Sequence, residues 1–373
     1  MMDFPQPEMI AVNGIELEVF SAGAGKPMVL CHGWPEHAYS WRHQIEPLVN
    51  AGFHVIAPNQ RGYGHSTKPA AVTDYDIQHL TGDLVGLLDH FGYEDACFVG
   101  HDWGAIIVWN LAMMHRQRVS HLINLSVPFM ERGTSEWVGF WEKMLGPDFY
   151  IVHFNRQPGV ADAAFENHTE QFLNNLYRTN QWLHPKLELG PGMNLVNMAL
   201  DPALLDGVPG DPIMSDEEMQ VFLDAFAVSG FTGGINWYRN FSRNWEIIGN
   251  YEQHIYQPTL AIFGDSITEG WIRSGFSGRA PSVAQPQCEA IWREYFGRWA
   301  PLNIAIGGDR AQDLGWRLQH GLFRVALVAY SVCACCRSSS SVLTRSWRCS
   351  MLCGGPRTAL RGWRNRYSWR PYA

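Results

Sequence analysis

The chain has 373 residues, 46% of them hydrophobic, with 16 Trp and a formal net charge of −8, enough apolar material for a sizeable core in one large domain with an insert or in two domains. No run approaches about 18 uninterrupted apolar residues, which argues against a membrane span, and the start (Met1-Met2-Asp3-Phe4-Pro5) lacks the basic region and apolar run of a signal peptide, so a cytoplasmic protein is expected.

Ile10 to Phe20 alternates as a first hairpin with Asn13-Gly14 as its turn. Pro27 to Cys31 reads as a short buried strand that ends in His32-Gly33-Trp34-Pro35-Glu36. A glycine-containing loop directly after a strand turns a backbone N–H inward, which suits Trp34 for half of an oxyanion hole, while His32 reads as a brace for the loop rather than a base. Phe53 to Pro58 is another strand, running into Asn59-Gln60-Arg61-Gly62-Tyr63-Gly64. Tyr75 to Phe91 is an amphipathic helix with Leu80, Leu84, Leu87 and Leu88 on one face.

The next stretch organises the chain. Ala96 to Val99 is a buried strand, Ala105 to Met114 a helix, and Gly100-His101-Asp102-Trp103-Gly104 a tight turn between them. Small residues on either side of Asp102 are what a strained strand-to-helix elbow needs to lift its central side chain above a sheet. A carboxylate there attacks carbon directly and forms an ester, with the helix N-terminus and the Trp103 N–H facing the charge that develops. The alternative is an ordinary turn with Asp102 as an N-cap. Strand–helix alternation implies an α/β fold with a mostly parallel sheet, whose site lies at the carboxyl ends of the strands, where the Trp34 loop and Asp102 both fall.

After the strand His121 to Ser126, the pattern turns helical and rich in Trp, Phe and Met from about Ser135 to Asn244, which reads as a cap that buries substrate and excludes water. Two of its tyrosines, Tyr150 and Tyr238, are either core aromatics or a pair of phenols converging on one substrate oxygen.

His32-Gly33-Trp34-Pro35, Arg61-Gly62-Tyr63-Gly64, Gly100 to Gly104, Asn236-Trp237-Tyr238-Arg239-Asn240 and the segment from Tyr150 to Ala161 together resemble the soluble epoxide hydrolases of the α/β-hydrolase fold, over roughly Pro7 to Gln257. The resemblance implies Asp102 as nucleophile, an oxyanion hole from the Trp34 and Trp103 amides in a substrate pocket that also takes in His32 and Pro35, and Tyr150 and Tyr238 as phenols that polarise an oxirane. It also implies a small apolar epoxide and water as reactants, a later His–acid pair to activate the water, and no cofactor or metal. A dehalogenase is the rival within the fold, but it cradles a halide rather than protonating an alkoxide, so the Trp-Tyr-Arg-Asn segment favours the epoxide.

Beyond the strand Pro258 to Phe263 the pattern changes. Gly264-Asp265-Ser266-Ile267-Thr268 resembles the first block of the SGNH (GDSL-type) esterases, with Ser266 as nucleophile, and Asn303 to Asp309 resembles their glycine-bearing second block. Neither a Gly-x-Asn-Asp nor an Asp-x-x-His follows residue 310. The only histidines after the cap are His254, on the wrong side of the late strand for a base, and His320, with Asp265 or Asp309 as possible acids. From Leu314 to Ala373 there are ten Arg and no Asp, Glu or Lys, so the chain to Asp313 holds 18 basic residues against 36 acidic ones. Five of eight Cys (Cys333, Cys335, Cys336, Cys349, Cys353) lie in that tail. A basic nucleic-acid-binding tail and a zinc site are weighed and set aside; a non-native terminus, from a shifted reading frame or a join, fits the composition better. The expected organisation is a hydrolase core over 1–130, a helical cap over 131–245, a late strand with an SGNH-like fragment over 246–321, and a basic tail over 322–373. No nucleic-acid or membrane partner is expected. A catalytically silent fused product and a Ser266 esterase are the remaining alternatives.

Overall fold

The computed structural model describes residues 3–178, 195–204, 210–263 and 302–303. Strands β1 (Pro7–Val12) and β2 (Ile15–Gly23) form the first hairpin. Its turn puts Asn13 and Gly14 at φ 46° and 78°, two consecutive positive values that suit Asn-Gly and match the twist of the strands. β3 (Lys26–Cys31), helix α1 (Arg42–Asn50), β4 (Phe53–Asn59), α2 (Ile77–Phe91), β5 (Ala96–His101), α3 (Trp103–Met114) and β6 (Val119–Leu125) then alternate. The sheet is completed by β7 (Thr259–Phe263) and the two-residue β8 (Leu302–Asn303).

The strand order is β1-β2-β4-β3-β5-β6-β7-β8, antiparallel where β2 meets β1 and β4 and parallel elsewhere. β3 and β5 are central and run in register from Met28↔Cys97 to Cys31↔Gly100. This register brings the loop after β3 and the turn after β5 to the same end of the sheet. The outer edge of β7 is paired with β8 at Ile262↔Leu302 and Phe263↔Asn303.

Helix α2 starts at Ile77 rather than Tyr75, because the buried Asp76 carboxylate accepts from the backbone N–H groups of Gln78 and His79, each at 3.0 Å, and fixes the N-cap. Gly92, at φ 72°, closes the other end. Leu80, Leu84, Leu87 and Leu88 are buried as their spacing predicts, and each such side chain contributes about 1.5–3 kcal/mol. α2 and α3 pack on each other, and α3 is buried nearly all round, so its sequence shows no polar stripe.

Between β6 and β7 the described chain is helical: α4 (Trp137–Leu145), α5 (Tyr150–Arg156), α6 (Val160–Asn167), α7 (Thr169–Leu176), α8 (Asn197–Leu200), α9 (Asp216–Ser229), α10 (Thr232–Arg239) and α11 (Phe241–Ile248). Hydrogen bonds tie these helices to the sheet layer. Tyr177 Oη donates to the Pro35 carbonyl at 2.8 Å, Trp237 Nε1 to the Arg61 carbonyl at 3.3 Å, and the Ile77 N–H to Asn244 Oδ1 at 2.8 Å. Among the described residues no helix is long and apolar enough to cross a membrane. Asp265, Ser266 and Asp309, for which an esterase-like fragment was expected, and His320 and the basic tail lie outside the described residues.

Candidate active site

The turn between β5 and α3 sets the geometry. Asp102 sits at φ 52°, ψ −119°, a backbone region that a non-glycine residue occupies only when its surroundings hold it there. A Cβ on Gly104 would stand 2.0 Å from the Cys31 carbonyl oxygen, and one on Gly100 would stand 2.4 Å from the Gly104 oxygen. Glycine is required at both places, because what approaches is backbone. The N-cap alternative does not describe this turn: the Asp102 side chain makes no capping hydrogen bond to α3. Instead Oδ1 accepts from the Trp34 N–H at 2.9 Å, across from the loop after β3, and the Trp103 N–H also donates to the carboxylate.

Burial pushes the Asp102 carboxyl up to about 6, against the lowering influence of the His101 charge and the two N–H groups. It is thus ionised near neutral pH but less solvated than a surface carboxylate. Beneath it, His101 Nδ1 donates to Glu36 Oε2 at 3.1 Å, and the same oxygen accepts from the Gly33 N–H at 3.1 Å. Burial raises the Glu36 carboxyl, but the charge and hydrogen bond of His101 outweigh it and leave it below the ordinary carboxylate range. Pro35 is buried in the same loop.

His32 is fully buried. Its Nε2 accepts from the Gln60 N–H at 3.1 Å, which puts the ring proton on Nδ1, where it is donated to the Gly33 carbonyl at 2.9 Å. Burial lowers its pKa to about 4, so the ring stays neutral and braces the loop that carries Trp34.

Tyr150 and Tyr238 stand together, on α5 and α10, with ring centroids 5.7 Å apart and planes at 74°. The Tyr238 ring is also 5.1 Å from that of Trp103 and 5.5 Å from that of Trp34, so the indoles on either side of Asp102 reach the phenols of the cap. Phe154 and Phe241 complete an apolar wall around Tyr238. Burial raises the Tyr238 phenol well above its ordinary range, with the Tyr150 and Asp102 charges adding to the effect, so it is a hydrogen-bond donor at neutral pH.

The exposed His254 packs on Tyr256, ahead of β7 and close in sequence to Gln257, whose amide donates to the Ala112 carbonyl of α3 and to the Arg116 carbonyl just past it. That is the end of the sheet away from Asp102. Among the described residues no group of three or more His, Cys, Asp or Glu is arranged to hold a metal ion. The His101–Glu36 pair has no signature in the sequence, since its members lie 65 residues apart and no local pattern joins them.

A mostly parallel sheet with a nucleophile-type elbow at the carboxyl end of a central strand defines the α/β hydrolases, and residues 26–266 match the family model of the alpha/beta hydrolase fold. Epoxide hydrolase A of Mycobacterium tuberculosis is 42% identical over 270 residues, which cover 70% of this chain and 83% of that protein. Epoxide hydrolase 2 of Siraitia grosvenorii is 37% identical over 240 residues, 64% of this chain and 73% of that one. The crystal structure of epoxide hydrolase A from Mycobacterium thermoresistibile superposes with a TM-score of 0.69 at 34% identity, covering 87% of this chain and 98% of that one. The chain therefore belongs to the α/β-hydrolase fold family and, within it, to the epoxide hydrolases.

Proposed function

We propose that this protein opens epoxides through an ester on Asp102 and releases vicinal diols, working in the cytoplasm. The observation that carries the reading is a carboxylate held at a positive-φ turn by the Trp34 N–H, facing two phenols whose rings are 5.7 Å apart. In the first half-reaction the Asp102 oxygen not bound by Trp34 attacks an oxirane carbon. The ring C–O bond breaks, and the departing alkoxide takes a proton from Tyr150 or Tyr238. In the second half water adds to the ester carbonyl, and the Trp34 and Trp103 N–H groups stabilise the oxyanion that forms before the diol leaves. Trp34, Trp103 and Pro35 form the floor of the pocket, with the buried His32 bracing their loop from beneath, and the aromatic cap favours a small apolar epoxide.

The two halves are unequally supplied. Tyr150, Tyr238 and Asp102 provide the alkylation step from described residues alone. The histidines at the site are another matter: His32 has both ring nitrogens engaged, and His101 is bonded to Glu36. Among the described residues no base for the water is identified, so we expect ester hydrolysis to be the slow half. The test is a rapid-quench time course with an aryl epoxide, following protein-bound adduct and free diol together. Adduct formed faster than diol supports the reading, and diol formed with no adduct at any time overturns it. A dehalogenase is disfavoured because the phenol pair serves an alkoxide rather than a halide.

A further inference from the structure

Tyr150 and Tyr238 sit on two short helices, and a short helix is held in place by its tertiary contacts rather than by its own stability. The contact that joins them is built around Arg239, the neighbour of Tyr238 at the end of α10. Its side chain is 10% exposed, and its guanidinium grips the Asp162 carboxylate of α6 with both Nη atoms, Nη1 to Oδ1 at 2.9 Å and Nη2 to Oδ2 at 2.5 Å. The Asp162 side chain is itself 8% exposed. The remaining Arg239 contacts go to the Phe154 carbonyl of α5 from Nε at 3.2 Å and to Asn236 Oδ1 from Nη1 at 2.9 Å. A second tie runs the other way: Asn155 Nδ2, on α5, donates to the Tyr238 carbonyl at 3.0 Å and to the Ile151 carbonyl at 2.8 Å. Both phenol-bearing helices are thus bonded to each other across Arg239 and Asn155, and α6 is fastened to the same point.

We infer that Arg239, gripped by Asp162, and Asn155 are positioning residues that set where the two phenols stand over the pocket; the inference rests on the phenols serving the leaving oxygen as described above. Asp162 acts by holding the Arg239 fork flat and oriented, and burial of its carboxyl is outweighed by the hydrogen bonds and charge of Arg239, which keep it ionised. A planar five-donor fork is needed because one side chain serves a carboxylate, a backbone carbonyl and a side-chain amide at once. A lysine in its place supplies one point charge and loses most of these directions. Displacing a reacting group by about 1 Å costs on the order of 100-fold in rate.

The experiment is a double-mutant cycle on the rate of Asp102 adduct formation, measured by rapid quench and intact-protein mass in the full chain with an aryl epoxide. Arg239→Lys should slow adduct formation about 10- to 100-fold while changing the epoxide concentration for half-maximal rate by less than about threefold. In a Tyr150→Phe/Tyr238→Phe background the same substitution should cost less than about threefold, because the groups it positions are already gone. Asn155→Ala, which removes only an amide, should show the same non-additivity and stands in for Arg239→Lys if that variant does not fold. Equal losses with and without the two hydroxyls would overturn the inference, since a purely structural role makes the effects additive. If Tyr238→Phe alone leaves the rate unchanged, the reading of the phenols fails first and the positioning role falls with it; that outcome is recognised from the single variant.

Discussion

Replacing Asp102 by Asn should abolish adduct formation and at the same time stabilise the fold. The carboxyl is raised from an ordinary 3.8 to about 6 by burial, and a difference of this size corresponds to about 3 kcal/mol. The sign follows from proton binding. Below about pH 4 the group is protonated both folded and unfolded and contributes no difference. Between about pH 4 and 6 the unfolded chain releases the proton first, so stability falls as pH rises. Above about pH 6 the folded protein carries the full cost of an ionised, poorly solvated carboxylate. The side chain is partly accessible, and solvent screening makes 3 kcal/mol an upper limit, so a gain of about 1–3 kcal/mol is expected for Asp102→Asn at pH 7.5. Urea unfolding of both proteins at pH 4, 5, 6 and 7.5 measures it. The stability difference should be near zero at pH 4 and grow to its plateau above pH 6. A difference independent of pH, or a variant less stable than the parent at pH 7.5, refutes the reasoning.

The same titration governs chemistry: adduct formation should fall about tenfold per pH unit below pH 6, as the nucleophile is protonated, when followed by rapid quench from pH 4.5 to 8. Tyr150→Phe and Tyr238→Phe should each slow ring opening by about 10- to 100-fold, and the pair together by up to about 10⁴-fold, with little change in thermal stability. Gly104→Ala should cost at least about 3 kcal/mol, read as loss of soluble protein or a lowered melting temperature, because the added Cβ meets the Cys31 carbonyl oxygen at 2.0 Å and neither backbone can yield.

What was legible in the sequence was carried by local chemistry. Asn13-Gly14 announces its turn because few other pairs take positive φ twice, and Gly100 and Gly104 announce the elbow because only glycine admits the approach of the Gly104 backbone to the first and of Cys31 to the second. The alternating strands and the leucine face of α2 follow from periodicity. α1 is less legible: Arg42–Asn50 is nine residues long, carries Pro47 in its interior, and has only the short apolar stripe of Ile45, Leu48 and Val49. The start of α2 moved because Asp76, read as part of the helix, spends its carboxylate on the backbone N–H groups that define the N-cap. Pairs distant in sequence left no trace. Glu36 with His101, and Asp162 with Arg239, are separated by 65 and 77 residues and meet only once the sheet and cap have formed.

The most direct test of the account is intact-protein mass spectrometry after mixing the chain with an aryl epoxide, followed by peptide mapping. The account predicts a mass increase of one epoxide per chain, mapped to Asp102, absent from Asp102→Asn, and outlasting the first release of diol. Diol production that survives Asp102→Asn, or an adduct mapped elsewhere, would contradict it.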